Sequence, residues 1–207
     1  MRGVVRSSGL LAACFGVLAV ATSSFASGLS SPKVHTDAGA VDGPRIVEIA
    51  ADTPVLIQSP AGGGSRVLLS FSGLTALQGV TVFSARLEIP GIAAADPFAV
   101  ELYPVTTAWT SGSVSWGSPW RAAGGDFDPT HVAYTRIAAG DGGGGPIRLN
   151  VSMAVRQMIN EGAANNGFLL MPALHVGGEG APAAGFASAV AAALAGTSEI
   201  KLVVFCR

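Results

Sequence analysis

From residue 45 onward, apolar and polar side chains alternate with a period of two. In RVLLSFS, Val67, Leu69 and Phe71 fall on one side and Leu68, Ser70 and Ser72 on the other. In TVFSARLEIP, Phe83, Ala85, Leu87 and Ile89 alternate with Ser84, Arg86 and Glu88; in FAVELYP, Phe98, Val100 and Leu102 oppose Glu101 and Tyr103. Successive strand residues point to opposite faces, so this alternation predicts strands with one buried face. RIVEIA, THVAYTRI, PIRLNV, NGFLLMP and EIKLVVF add further strands. Short strands at spacings of about ten residues, separated by Gly and Pro turns, predict an all-β protein, a jelly-roll β-sandwich.

One segment departs from the two-residue period. NVSMAVRQMINEG places Val151, Val155, Met158 and Ile159 on one helical face, with Ser152, Arg156, Gln157 and Asn160 elsewhere. Asn150 stands where an N-cap is wanted and Gly162 where the helix should stop. A single short helix is therefore expected as a lid over one end of the sandwich. The alanine-rich run APAAGFASAVAAALAG is interrupted by Pro182, Gly185 and Gly196, and is read as a strand from Phe186 followed by a loop or one helical turn.

The amino-terminal residues call for separate treatment. Arg2 and Arg6 precede an apolar run from Leu10 to Ala21 and a small-residue site ending at Ala26. This is the form of a secretory signal over residues 1–26, and the run is too short for an ordinary membrane-spanning helix. LAAC, ending at Cys14, is the lesser alternative of a lipoprotein processing box. Residues 27–44 read as a flexible leader before a domain spanning 45–206. Removal of the signal takes away Cys14, leaving Cys206 as the sole cysteine and excluding an intrachain disulfide. It also leaves ten basic residues against thirteen acidic ones, so no basic stripe invites nucleic acid.

All three tryptophans fall within residues 101–120, in ELYPVTTAWTSGSVSWGSPW. The order SARLEIPG, VELYPVTTAWTSGSVSW, NVSMAVRQMINEGAANNGFLLMP and KLVVF resembles the DNRLRE-domain family, carbohydrate-binding module family 96, from about Arg45 to Phe205. Trp109, the SVSW ending at Trp116, and NNGFLL from Asn165 to Leu170 are the most specific pieces. The eponymous hexapeptide is replaced by ADTPVLIQSP, which keeps Asp52. The resemblance implies a single jelly-roll module on a secreted or surface protein, with a sugar-binding role toward uronate polysaccharides such as alginate. It also places Trp109 and Trp116 on positions that lock a long loop onto the sandwich.

Trp120 lies outside that pair, after Pro119 and beside Arg121. It is the ring expected to face a glycan, with Arg121 to meet a carboxylate and Tyr103, on the outward side of its strand, as a second platform. Arg136 and Arg148 are further candidate cations. Asp126 and Asp128, two apart in GGDFDPTH, could contribute to a structural calcium site, although calcium takes six or more oxygens and aspartates before a proline commonly make turns. The histidines are scattered and there is no HExxH or GxSxG, so no enzyme is expected. The expected function is a secreted carbohydrate-binding module with a polysaccharide partner. The alternative is a structural or adhesive surface domain with a protein or envelope partner.

Overall fold

The alternating segments become two five-stranded antiparallel sheets packed face to face. The structure is a computed structural model that describes residues 33–35, 43–61, 64–91, 98–130, 132–137, 145–173 and 200–207. One sheet runs in the order β1 (Lys33–His35), β2 (Arg45–Ala50), β10 (Lys201–Cys206), β5 (Val82–Ile89) and β8 (Ile147–Asn150). The other runs β3 (Val55–Gln58), β4 (Ser65–Leu69), β9 (Phe168–Pro172), β6 (Phe98–Pro104) and β7 (Ala133–Ile137). With edge strands β1 and β3 set aside, the other eight are ordered first, eighth, third, sixth in one sheet and second, seventh, fourth, fifth in the other. That double Greek-key wiring is a jelly roll, as the pattern predicts.

Val47, Ile49, Ala85, Leu87, Ile89, Leu149, Leu202 and Val204 from the first sheet meet Val67, Leu69, Phe98, Val100, Leu102, Phe168 and Leu170 from the second. Cys206 is buried in the same layer, as expected of a strand residue. Helix α1 (Ser152–Asn160) follows β8 and runs beside the first half of β5, where β8 no longer pairs. It buries Ala154, Val155, Met158 and Ile159 and so closes the core on that side. The N-cap position falls to Val151 rather than to Asn150; Asn150, one residue earlier, instead accepts at its Oδ1 from the N–H and the hydroxyl of Ser152 at 3.0 and 2.7 Å. Gly162, at φ 75°, ends it.

Phe83 differs from its predicted inward position. Ser84 pairs with Phe205 and Val82 with Cys206, so Phe83 is the extra residue of a β-bulge. The bulge resets the parity: Val82 enters the core and Phe83 is exposed. The expected leader is also not wholly without structure, since Lys33–His35 adds an edge strand to β2. Asp52 accepts from the N–H and hydroxyl of Ser72 at 3.0 and 2.8 Å, fixing the start of a 3-10 helix over Ser72–Leu77. The signal, Cys14, the rest of the leader to residue 42 and the alanine-rich run lie outside the described residues. No helix among the described residues is long and apolar enough to cross a membrane.

Candidate functional site

Several strands of the second sheet are apolar on both faces. β9 is buried from Phe168 through Met171 and β4 from Val67 through Leu69, so something must also cover the outward side. The long connection from β6 to β7 does this. Val105 and Trp120 pack with Ile57, Leu68, Tyr103, Leu169 and Met171 into a second apolar cluster, flanked by Trp109, Val114, Trp116 and Phe127. The indole N–H of Trp120 donates to the Ser115 carbonyl and that of Trp109 to the Asn166 carbonyl, both at 2.8 Å. The Arg66 guanidinium lies 5.1 Å from the Trp116 ring centre and 5.8 Å from that of Phe127, and its Nη1 donates to the Gly124 carbonyl at 2.8 Å. Burial pulls the Arg66 pKa down from its ordinary value, and the two aromatic faces compensate for part of the lost hydration.

This arrangement corrects the expected ligand contacts. Trp120 is only 8% exposed and its ring belongs to the cluster, so it offers no open face to a glycan. Tyr103 does point outward from its strand, but the same connection covers it to 3% exposure. Its hydroxyl donates to Glu101 Oε2 at 2.9 Å; burial and that neighbour push its pKa up to about 12. Arg121 is exposed, yet the partner expected for it, an open Trp120 ring, is absent beside it. Arg148 sits on the outward face of the other sheet.

Asp126 and Asp128 act as loop organisers. Asp126 accepts from the N–H groups of Arg121 and Ala122 and from the Thr107 hydroxyl. Asp128 Oδ1 accepts from the N–H and hydroxyl of Thr130 at 2.9 and 2.6 Å, a turn before β7. With these oxygens engaged, and no group of three or more candidate ligands among the described residues, the pair does not fit a calcium cage. The Arg121 and Ala122 amides, then Thr107, hold the Asp126 pKa below the usual carboxylate range. A depressed folded-state pKa adds stability above the unfolded value of about 3.9 that is lost as pH falls further, through the folded pKa. Tryptophan fluorescence is therefore expected to report loosening of this loop in that acid range, with a smaller pH dependence in Asp126→Asn.

An open groove of about 570 Å³ lies between β7, at the edge of one sheet, and the β8–α1 junction of the other. Leu102, Ala133 and Phe168 contribute to its floor, while Thr130, Val132, Tyr134, Asn150, Met153 and Arg156 are among its other lining residues. Tyr134 is 43% exposed and Met153 is 56% exposed, so together with Val132 they give this rim three exposed apolar side chains. Arg156 is the one formally charged residue among the described residues of the lining; its Nε donates to the Val82 carbonyl at 3.0 Å and its Nη2 to that of Phe83. The first-turn amides of Met153 and Ala154 have no intrahelical acceptor, so the positive end of the helix dipole also faces this junction. Among the described residues, no carboxylate, imidazole or thiol belongs to the lining. The described lining thus combines apolar groups with polar ones and a single cation.

No family model matches the chain, and no curated protein matches it either.

Sequence reasoning does not single out Tyr134, Met153 or Arg156 as site residues. The pattern nonetheless holds a signal for two of them: Tyr134 alternates outward between Ala133 and Thr135, and Met153 lies off the apolar helix face.

Proposed function

We propose that the protein is a secreted, non-catalytic carbohydrate-binding module that takes an acidic sugar in the groove beside Tyr134. The observation that carries this reading is an exposed tyrosine on the rim of a groove whose described lining holds one formal charge, the positive charge of Arg156. An aromatic ring offers a face for the apolar side of a pyranose, and cationic and amide donors nearby suit its carboxylate. Glycoside hydrolysis ordinarily needs two converging carboxylates, which the described residues of this lining do not supply. The uronate class is also what the resemblance to the DNRLRE-domain family implies, and the signal-like first 26 residues support export.

Affinity electrophoresis of the purified protein through alginate, pectate, xylan and cellulose gels tests this. Retardation by a uronate polymer is expected, with loss of most of it in Tyr134→Ala. Because Tyr134 is a half-exposed edge residue, that variant should keep its stability to within about 1 kcal/mol. Absence of retardation by every polymer would overturn the reading. The structural or adhesive alternative would then gain weight, since all three tryptophans already pack within the domain.

A further inference from the structure

The outward face of the first sheet carries a charged ladder that the fold does not need for its core. Lys201 and Arg148 flank Glu88 in register on β10 and β8, and Arg86 lies two residues from Glu88 on β5. Glu88 Oε1 accepts from Arg86 Nε at 2.8 Å and from Arg148 Nε at 3.1 Å, while Lys201 Nζ stands 3.7 Å from its other oxygen. Lys201 also pairs with Glu48 at 3.0 Å. Among the described side chains the cluster holds three cations against two carboxylates, an excess of one positive charge. Glu88 is 6% exposed and its charge is consumed inside the cluster, whereas the Arg148 side chain is 60% exposed. Anchoring each arginine through Nε leaves its terminal fork of donors for an outside anion, in a geometry matched to carboxylate.

The ladder adjoins the groove. Arg148 and Asn150 are alternate residues of edge strand β8, hence on one face and about 7 Å apart. Asn150 lines the groove, so a chain leaving it past Asn150 would cross Arg148. We infer that Arg148, backed by Arg86 and Lys201, forms a second subsite for an acidic polysaccharide, reached from the groove over the edge of β8. This rests on the glycan-binding reading above and adds to it that the chain is held at two places, in the groove and on the outward face of β8.

Calorimetric titration with a uronate disaccharide and octasaccharide, on the full protein and on Arg148→Gln, tests it. The octasaccharide reaches Arg148 and adds one charge-assisted hydrogen bond there, so it should bind about tenfold more tightly than the disaccharide. Arg148→Gln should erase that advantage and flatten its salt dependence, leaving disaccharide affinity unchanged, with partial recovery in Arg148→Lys. Glu88 retains Arg86 and Lys201 in these variants, so folding is preserved. An unchanged length advantage in Arg148→Gln, or equal losses at both lengths, would overturn the second subsite. If binding of both oligomers still depended on Tyr134, the groove reading would survive that result. If neither oligomer bound the parent protein, both proposals would fall.

Discussion

Gly167→Ala is expected to destabilise the protein by about 3–5 kcal/mol, close to the whole stability of a marginal domain. Gly167 holds φ at 75°, and a Cβ built there would lie 2.0 Å from the Leu69 carbonyl oxygen and 3.0 Å from both Leu69 C and Ser70 Cα. Those are backbone atoms at the end of β4, where Leu69 pairs with Phe168, so they can withdraw only by breaking the ladder. The neighbouring residues make the same spot a clasp. Asn165 donates to the Phe71 carbonyl and Asn166 to that of Thr106, while the Gly167 carbonyl accepts from the Val105 N–H. Gly162→Ala is the control: it has the same φ of 75° but nothing within 4 Å of the added Cβ, so it should cost only about 1–2 kcal/mol. Denaturant midpoints of the two variants separate collision from strain. Equal shifts would mean that β4 and the NNG turn are not in this close approach.

Trp120→Ala is expected to cost about 3–4 kcal/mol, in the range for a truncated buried aromatic. The ring packs on the outward side of the second sheet with Leu68, Leu169 and Met171, and its N–H is bonded to the Ser115 carbonyl. Removing it opens a cavity under the β6–β7 connection and uncovers apolar strand surface. The loss should appear in thermal melts and as faster proteolysis within residues 105–130. Trp120→Phe should recover much of the packing but not the hydrogen bond. Sugar binding, referred to the folded fraction, should be unchanged, which sets Trp120 apart from Tyr134. A Trp120→Ala variant with parental stability and no binding would restore Trp120 as the ligand platform.

How much of the fold and site is legible in the chain depends on whether the deciding interaction is local. Alternation in FAVELYP marks Phe98, Val100 and Leu102 as the inward set, and they are. The helix from Ser152 and its stop at Gly162 follow from spacing and from the conformational freedom of glycine at positive φ. Phe83 defeats the pattern because parity counting assumes an uninterrupted ladder, and the bulge against Phe205 and Cys206 is a property of the pairing partner. Tyr103 shows the other limit. Its outward direction is a local consequence of the pleat, but its burial is imposed by a connection whose rings arrive from later in the chain.

The all-β class, the inward faces of most strands, the α-helix that follows β8 and the lack of a basic stripe are all legible in the chain. These follow from period, propensity and composition, which act over a few neighbouring residues. Long-range packing sets what the chain's local pattern leaves open: Trp120 lies against the outward side of the second sheet, Asp126 and Asp128 organise a loop, and Tyr134 lines an open groove with Asn150 and Arg156. It also brought Glu48 and Lys201 to 3.0 Å of one another across a separation of 153 residues. Exposure and charge pairing are set by which distant segment lies over a face, and the jelly-roll crossing of strands between two sheets makes nearly every such neighbour non-local.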